Sequence, residues 1–316
     1  MKTLVVVQAR TGSTRLPGKV LLPLAGRPML ERMLARVFAA RPPFDIVVAT
    51  TTCSTDDGVV EAATRMGVRV FRGHETDLLD RHYRAALESK ADVVVKIPSD
   101  CPLVDPAAIA RVLDAHWSSG ADYTSNLHPA TWPDGTDVEA ISMHALAIAW
   151  REAKAPHERE HTTPFLWEHP NRFRTKNVES PLGDHATTHR LVVDYAEDYD
   201  VVRAVFEALW TSSIKPFSIF DAVVWLDENP RVRERNAKYR GASSQLGRAS
   251  ERPHRRERSG SPASGARAEA DLSERGDDAR SQTLAGVRDG SAATMRRARA
   301  GHVGDAPCDP RFHARR

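Results

Sequence analysis

Apolar and polar positions alternate in blocks along the first third of the chain. Four short and almost entirely apolar runs, at residues 4–7, 45–50, 68–71 and 92–97, predict buried β-strands. Apolar residues recur every three or four positions in segments 27–40, 55–66, 77–89 and 105–117. This spacing predicts amphipathic helices, so the first part of the chain alternates strand with helix.

Shorter segments continue the pattern in the second part of the chain. Strands are predicted at 122–125, 138–142, 173–178 and 190–194, and helices at 143–152, 158–167, 198–210 and 218–229. Strands that are apolar throughout and alternate with helices are typical of a mostly parallel sheet covered on both faces. The sequence therefore predicts an α/β fold with a doubly wound, mostly parallel sheet.

The composition changes after residue 240. Residues 241–316 contain 15 Arg, no Lys and 10 Asp or Glu, a net charge of +5, and no Ile, Trp or Tyr. Residues 1–240 carry 30 basic and 32 acidic residues, a net charge of −2. A segment with so few large apolar residues cannot bury enough surface to offset the entropy of ordering it. We therefore predict one folded domain, residues 1–240, and a disordered tail rich in Arg, Ser, Ala and Gly, residues 241–316.

Nucleic-acid binding and membrane insertion find little support. Arginines cluster at 255–258 and 296–299, but acidic residues are interspersed and no aromatic residue lies between the arginines to stack on bases. The apolar run 4–7 is far too short for a membrane span or a signal sequence. The three cysteines, Cys53, Cys101 and Cys308, lack zinc or redox spacing, and so sparse a count fits a reducing compartment. We expect a cytoplasmic protein with no membrane or nucleic-acid partner.

Candidate chemistry begins where the first strand ends, in the stretch QARTGSTRLPGK at residues 8–19. Ligands of open parallel sheets bind beyond the carboxyl ends of the strands. The two glycines let backbone N–H groups approach such a ligand, and Arg10, Arg15 and Lys19 match phosphate oxygens. The stretch is not a Walker loop, because five residues separate its glycines and no Ser or Thr follows the lysine. The sequence therefore predicts a phosphate-binding loop of another kind.

Two aspartates that follow apolar runs are candidate metal ligands. Asp100 comes shortly after the run 92–97, so its carboxylate should face the same cleft as the loop. Mg²⁺ in such sites is held by one or two carboxylates together with substrate phosphates. Asp194 follows a second apolar run and could supply the other carboxylate, with helix capping as the alternative.

Several motifs together carry a resemblance to a known family. RTGSTRLPGK, at residues 10–19, resembles the signature of the sugar-activating cytidylyltransferases, which make CMP-linked acidic sugars such as CMP-Kdo and CMP-sialic acid. Further stretches are similar to the branch called spore coat polysaccharide biosynthesis protein F. They are FRG (71–73), LLDRHYRAA (78–86), SDCPLVDP (99–106), WPDGTDVEA (132–140), EREHTTPF (158–165), VDYAEDY (193–199) and DENP (227–230). The resemblance spans residues 1–240 and does not reach the tail.

The resemblance implies a fold, a reaction and partners. The fold is that of the nucleotide-diphospho-sugar transferases, which is Rossmann-like. In a Mg²⁺-dependent reaction a hydroxyl of a small sugar attacks the α-phosphate of CTP and pyrophosphate leaves, and the product serves surface polysaccharide synthesis. The family implies an acidic sugar, although this chain has Asp134 where the family often has Arg. Members often form dimers, so a homodimer is one expectation.

The resemblance also implies residue roles. Catalysis is expected of Arg10, Lys19 and Asp100, and metal binding of Asp100 and Asp194. The nucleotide is expected to contact Gln8, Ala9, Arg10, Gly12, Ser13, Arg15, Lys19, Arg72, Asp80, Arg81 and Ser99. The acceptor sugar is expected to contact Asn126, Trp132, Asp137, Glu139, Arg159 and His161. A surface ion pair stays open for Arg15 and a pair along one helix for Asp80 and Arg81, and no general base is apparent.

Three alternative functions stay open at this point. HEREH, at residues 157–161, satisfies the H-E-x-x-H pattern of zinc proteases, but prolines on both sides leave barely two helical turns. Asp198 and Asp200 form the D-x-D of many glycosyltransferases that consume a nucleotide sugar, yet acidic residues are also common in the first turn of a helix. The third alternative is a nucleotide-binding protein without catalysis.

Overall fold

The computed structural model describes residues 1–40 and 43–241 of the chain. Except for Gly241, the predicted tail lies outside the described residues, so its disorder stays a prediction. The arginine clusters at 255–258 and 296–299 lie outside them as well. No helix among the described residues is both long enough and apolar enough to span a membrane.

Seven strands form the central sheet of the described residues, and two short strands form a separate hairpin. The strands are β1 (Thr3–Gln8), β2 (Pro23–Leu24), β3 (Arg27–Pro28), β4 (Asp45–Thr51), β5 (Arg69–Gly73), β6 (Val93–Pro98), β7 (Tyr123–Ser125), β8 (Glu139–Ser142) and β9 (Thr175–Asn177). The sheet order is β5-β4-β1-β6-β8-β7-β9, and β2 pairs with β3. Only β8 runs antiparallel to its neighbours β6 and β7. The predicted mostly parallel sheet is confirmed.

Helices cover both faces of this sheet, as predicted. They are α1 (Met29–Ala39), α2 (Asp57–Arg65), α3 (Leu78–Glu88), α4 (Pro106–Ser119), α5 (Met143–Glu152), α6 (Pro156–His161), α7 (Pro164–Trp167), α8 (Ala196–Leu209), α9 (Ile219–Glu228) and α10 (Pro230–Arg233). Alternate side chains of β1 enter two cores. Val5 and Val7 pack in the core that includes α1, α4 and α8, and Leu4 and Val6 in the core that includes α3 and α5. Because both faces are buried, the four central positions of β1 are all apolar.

The predicted strand at 190–194 is wrong. Within the described residues this segment pairs only through an isolated bridge between Arg190 and Asp134. Its apolar residues Leu191 and Val193 are fully buried in the first core. The apolar pattern therefore reflects burial and not a place in the sheet.

The predicted helix at 158–167 is interrupted. Helix α6 ends at His161 and α7 begins at Pro164. Thr162 has a φ angle of +73°, outside the range of a right-handed helix, and Pro164 has no N–H with which to continue α6. The break turns the chain directly beside the ends of β1 and β6, where the candidate site lies.

Candidate active site

Hydrogen bonds within the loop after β1 fix its shape. The Gly18 N–H donates to the Thr11 carbonyl over 2.9 Å, and Gly18 has a φ angle of +71°, which glycine adopts without steric penalty. Thr11 donates to Asp56 Oδ1 from its backbone N–H and from its hydroxyl, each over 2.7 Å. These hydrogen bonds attach the loop to the start of α2. The side chain of Lys19, at the end of the loop, is only 9% exposed.

Lys19 joins the two aspartates that the sequence suggests as metal ligands. Its Nζ lies 3.3 Å from Asp100 Oδ2 and 3.0 Å from Asp194 Oδ1, and it also donates to the Val193 carbonyl over 2.6 Å. Burial alone would lower the pKa of Lys19, but the carboxylates of Asp100 and Asp194 raise it above its ordinary value. Burial would likewise raise the pKa of Asp194, but Lys19 and Arg15 hold it below its ordinary value. Residues far apart in the chain thus form one charged cluster.

Arg15 reaches the same cluster with the help of two aromatic rings. Its Nη2 lies 2.7 Å from Asp194 Oδ1, and its guanidinium lies 5.3 Å from the centroid of the Tyr195 ring. Tyr195 in turn stacks on Tyr239, with ring centroids 3.8 Å apart and planes within 4° of parallel. The stack on Tyr239, near the end of the described chain, therefore helps to position Tyr195 against Arg15.

Arg190 binds a further set of carboxylates and accounts for the D-x-D pattern. Its Nε and Nη2 donate to Asp198 over 2.9 and 3.0 Å, and its Nη1 donates to Asp134 over 3.1 Å. Asp198 is fully buried and accepts the N–H groups of residues 194 and 195 at the start of α8. Asp200, in contrast, is partly exposed and pairs with Arg203 at 3.2 Å. The two acids of the pattern therefore do not share a site.

Arg10 and Arg81 form a pair of guanidinium groups without acidic partners. Arg10 Nη1 and Arg81 Nη2 both donate to the Glu75 carbonyl, over 3.0 and 2.7 Å. Within the described part of the chain neither has a carboxylate oxygen within 4.0 Å. Burial and the nearby Arg10 lower the pKa of Arg81 to about 10. Two cations held by one carbonyl are well suited to bind an anion.

One cavity of about 500 Å³ lies beyond the ends of β1 and β6, and it is lined by the Lys19 cluster together with Arg10 and Arg81. Of the residues expected to bind ligands, it brings together Gln8, Ala9, Arg10, Gly12, Ser13, Arg15, Lys19, Arg81, Ser99, Asp100, Asp137, His161 and Asp194. Six further residues line the cavity that were not predicted from the sequence, and they are Thr14, Leu78, Lys96, Pro98, Glu160 and Val192. Lys96 could have been recognised in the sequence, because it is the one charged residue in the otherwise apolar strand β6.

Lys96 and Asp137 line the part of the cavity that lies towards β8. Lys96 Nζ lies 2.5 Å from Glu139 Oε1, and Tyr123 donates its hydroxyl to Glu139 Oε2 over 2.6 Å. Burial opposes ionisation of Glu139, but Lys96 and these hydrogen bonds hold its pKa below the ordinary value. Glu139 is fully buried beneath Lys96 and does not line the cavity, contrary to expectation.

Beside Asp100 lies a cysteine that is free and fully buried, Cys101. Its Sγ lies 3.8 Å from Asp100 Oδ1. Burial, together with the carboxyl groups of Asp137 and Asp100, raises the pKa of the thiol well above its usual range. The sulfur is therefore held as an unreactive thiol at the corner that follows β6.

Two residues expected at the nucleotide do not line the cavity. Arg72 donates to the Thr51 carbonyl over 2.8 Å and pairs with Asp57 at 2.8 Å, which ties β4 to α2. Asp80 accepts a hydrogen bond of 2.7 Å from Trp150 Nε1 and so joins α3 to α5. Both side chains connect neighbouring elements on the outer part of the fold.

Three residues expected at the acceptor sugar also have structural contacts. Asn126 donates to the Thr136 carbonyl over 2.8 Å and is 1% exposed. Trp132 is 3% exposed and belongs to the first core. Arg159 Nε lies 2.9 Å from Asp77 Oδ2, so α6 is fastened to the start of α3. None of the three lines the cavity.

The HEREH stretch does not form the histidine pair of a zinc protease. His157 Nε2 lies 3.2 Å from Glu168 Oε2, whereas His161 lines the main cavity. Among the described residues, the group that could hold a metal contains His157, Glu158 and Glu168 and excludes His161. Glu158 already accepts the N–H groups of residues 154 and 155 and thereby caps α6.

An α/β sheet with a cationic loop and a carboxylate at the ends of adjacent strands is typical of nucleotide-binding proteins. The family model for cytidylyltransferase matches residues 4–220. The chain belongs to the cytidylyltransferase family, and it is therefore an enzyme of the nucleotidyltransferase class. The resemblance seen in the sequence is confirmed.

Individual relatives agree with this assignment. Spore coat polysaccharide biosynthesis protein SpsF of Bacillus subtilis is 33% identical over 232 residues, which cover 72% of this chain and 95% of that protein. A 3-deoxy-manno-octulosonate cytidylyltransferase of Geobacter sulfurreducens is 38% identical over 116 residues, 36% of this chain and 44% of that protein. A solved cytidylyltransferase from Leptospira borgpetersenii is 31% identical, with a TM-score of 0.70 over 74% of this chain and 97% of that one.

Proposed function

We propose that the enzyme transfers CMP from CTP to a hydroxyl of a small sugar, for surface polysaccharide synthesis. A bond forms between the sugar oxygen and the α-phosphorus, the bond from that phosphorus to pyrophosphate breaks, and the hydroxyl proton is released. The observation that carries the proposal is the position of Lys19. It lies within 3.3 Å of both Asp100 and Asp194 at the wall of the cavity. Reaction in the cytoplasm and assembly as a homodimer stay predictions.

The cationic side of the cavity suits the triphosphate. Arg10, Arg15 and Lys19 would neutralise charge that develops on the phosphates, and amides near Gly12, with the Ser13 hydroxyl, would donate hydrogen bonds. Because these groups are fixed by the loop, they need little reorganisation during the reaction.

Gln8 supports cytosine as the base. Its Oε1 is buried and has no hydrogen-bond partner among the described residues, although Gln8 lines the cavity. The 4-amino group of cytosine is a donor that would satisfy this oxygen, whereas uracil presents an acceptor there.

The carboxylates at the cavity fit a magnesium ion. Oxygen ligands from carboxylates are what Mg²⁺ prefers, and the Asp100 side chain is 31% exposed with Lys19 as its one ion-pair partner among the described residues. Asp194 is already bound to Arg15, Lys19 and Arg190, so its role as a second ligand stays a prediction. When bound, Mg²⁺ would supply positive charge to the triphosphate oxygens.

Pyrophosphate release with each of the four nucleoside triphosphates and a panel of sugars tests the proposal. We expect release with CTP and a sugar together, and not with either alone. Asp100→Asn should lower turnover by on the order of a hundredfold, because an electrostatic group at the reacting phosphate is lost. Asp114→Asn, an exposed change on α4, is the matched control and should leave turnover unchanged.

Two results would contradict the proposal. One is a wild-type enzyme that does not bind CTP in calorimetry. The other is an Asp100→Asn variant with the turnover of the Asp114→Asn control.

A further inference from the structure

A charged pair is buried in the sheet beside the cavity. Lys96 on β6 lies opposite Glu139 on β8, and its Nζ is 2.5 Å from Glu139 Oε1. The two residues are 1% and 0% exposed. Because both charges lose water on burial, such a pair adds little to stability, and apolar residues of similar size often serve as well. Stability alone therefore does not explain a lysine in this apolar strand.

The side chain of Lys96 lies on the face of the sheet that α3 and α5 cover. Val94, two residues earlier, packs in the core of that face, and so does Val6, which pairs in register with Lys96. Gln8 follows Val6 by two residues and lines the cavity. Lys96 lines the cavity as well, so its ammonium group forms part of the cavity wall on this face.

The hydrogen bonds of Lys96 hold it in place and leave donors unused. An ammonium group has three N–H donors, and within the described part of the chain Lys96 donates only to Glu139. Glu139 has no free oxygen, since Tyr123 donates its hydroxyl to Oε2 over 2.6 Å. Buried donors without partners are unfavourable in the free protein. A ligand group that accepts hydrogen bonds in the cavity would satisfy them.

The surroundings of Lys96 in the cavity suit an anion. Burial, together with the carboxyl groups of Asp134 and Glu139, raises the pKa of Asp137 well above its ordinary value, so Asp137 is uncharged near neutral pH. Arg81 lines the same cavity and, among the described residues, donates only to carbonyl groups of the main chain. An anion beside Lys96 therefore meets an uncharged acid and an arginine whose charge is not matched.

The place of Lys96 in the sheet points to the acceptor and not to the nucleotide. The cations proposed to bind the triphosphate belong to the loop after β1, whereas Glu139 holds the Lys96 ammonium group at β8. Strand β6 lies between β1 and β8, and Asp100 follows its end. Lys96 therefore lies on the side of Asp100 that is away from the loop.

We propose that Lys96 binds the carboxylate of an acidic acceptor sugar, and that Glu139 and Tyr123 hold it in position to do so. Lys96 is then a specificity residue, and Glu139, which does not line the cavity, is a positioning residue. The family resemblance implies an acidic acceptor but does not imply Lys96. This inference rests on the proposed transfer of CMP to a sugar.

Acidic sugars and their methyl esters test the role of Lys96. 3-Deoxy-manno-octulosonate and N-acetylneuraminate, each with its methyl ester, are titrated into the wild-type enzyme in the presence of a non-hydrolysable CTP analogue. We expect at least one acid to bind, and its ester to bind at least about tenfold more weakly, because the ester lacks the charge that strengthens a hydrogen bond from an ammonium group.

Lys96→Met combined with Glu139→Gln removes both charges and leaves no buried ion without its partner. This double variant should bind the acid at least about tenfold more weakly and the ester as the wild type does, while its Kd for CTP stays unchanged. Lys96→Arg keeps the charge and should retain most of the preference for the acid. Asp114→Asn, exposed on α4, should change none of these quantities.

Glu139→Gln alone tests the positioning role. Lys96 then keeps its charge without a matching carboxylate, so the acid should bind at least as tightly as to the wild type. Turnover in the pyrophosphate assay should nevertheless fall at least about fivefold, because the ammonium group is no longer fixed. Weaker binding of acid and ester alike would instead show that Glu139 only supports the fold.

The inference is overturned if neither acid binds to the wild type, if acid and ester bind equally, or if the double variant keeps the preference for the acid. Failure of the wild type to bind CTP would instead contradict the proposed function. The two failures are therefore distinguishable.

Discussion

At the scale of single residues, Asp137 is a buried acid whose ionisation opposes folding. Burial, together with the acids Asp134, Glu139 and Asp100, raises its pKa well above the ordinary range, and Lys96 opposes this only in part. A group whose pKa is higher in the folded than in the unfolded state stabilises the fold when protonated. That contribution is fully present below the unfolded pKa, about 3.9, and is lost as the pH rises towards the folded pKa.

Asp137→Asn should therefore stabilise the protein at neutral pH. We expect its free energy of unfolding at pH 7 to exceed that of the wild type, and the difference to shrink as the pH falls towards 4. Urea denaturation of both proteins at pH 7, 5.5 and 4 measures this, and the comparison cancels the titration of groups that both proteins share. A variant less stable than the wild type at pH 7 would show that the carboxylate has a partner in the free protein.

Residue type and position predicted part of the site. Loop residues such as Lys19 and the strand-end residue Asp100 could be placed together because parallel strands end at one edge of a sheet. Arg72 and Asp80 could not be excluded in advance, because whether a side chain turns inward or binds an adjacent element depends on packing that sequence spacing does not encode. Lys96 was not predicted as a cavity residue, because the apolar run around it indicates only a buried strand.

Gly135 allows the backbone of its loop to approach the backbone at Val192 closely, near the site. It has a φ angle of +100°, and an added Cβ would lie 2.2 Å from the Val192 backbone nitrogen. Beside it, Leu191 N–H donates to the Asp134 carbonyl over 2.6 Å. This contact between two loops holds the segments that carry Asp137 and Asp194 side by side.

Gly135→Ala should separate these loops. We expect a loss of about 3 kcal/mol or more in the free energy of unfolding, from backbone strain and steric overlap together, and a fall in transfer activity. Gly183→Ala is the matched control, because Gly183 has a φ angle of +96° with no atom within 4 Å of an added Cβ. Equal losses in the two variants, measured by urea denaturation, would show that backbone conformation alone matters and that the close approach does not.

Elements with strong periodicity were predictable, and those shaped by tertiary contact were not. Strands β1, β4 and β6 follow their apolar runs to within two residues at each end. Segment 190–194 has the same apolar character but lies against the core outside the sheet, and helix 158–167 breaks at Thr162. A local apolar pattern shows which residues are buried, whereas the rest of the fold decides whether a segment pairs with the sheet.

Across the whole molecule, the end of the described chain returns to the site. Asn236 donates to the Arg190 carbonyl and to Asp198, each over 2.9 Å, and is 1% exposed. Tyr239 stacks on Tyr195, which supports Arg15. The residues from Glu234 to Tyr239 are therefore part of the domain that forms the cavity, and the boundary after residue 240 stays a prediction.

Two truncations test where the domain ends. Removal of residues 242–316 should leave the free energy of unfolding and the rate of CMP transfer unchanged, because the composition of that segment offers little apolar surface to bury. Removal of residues 234–316 should lower both, since buried Asn236 and the tyrosine stack are lost. If the shorter deletion already impairs either quantity, the tail takes part in folding or catalysis.

The buried thiol of Cys101, beside Asp100, can be used to measure how often the structure around it opens. A protonated sulfur with no exposed surface does not react with iodoacetamide, so Cys101 is alkylated only during transient opening of the corner between β6 and α4. The labelling rate of this one peptide, followed by mass spectrometry, would therefore time that opening. Retardation by a bound nucleotide would register occupancy without any turnover.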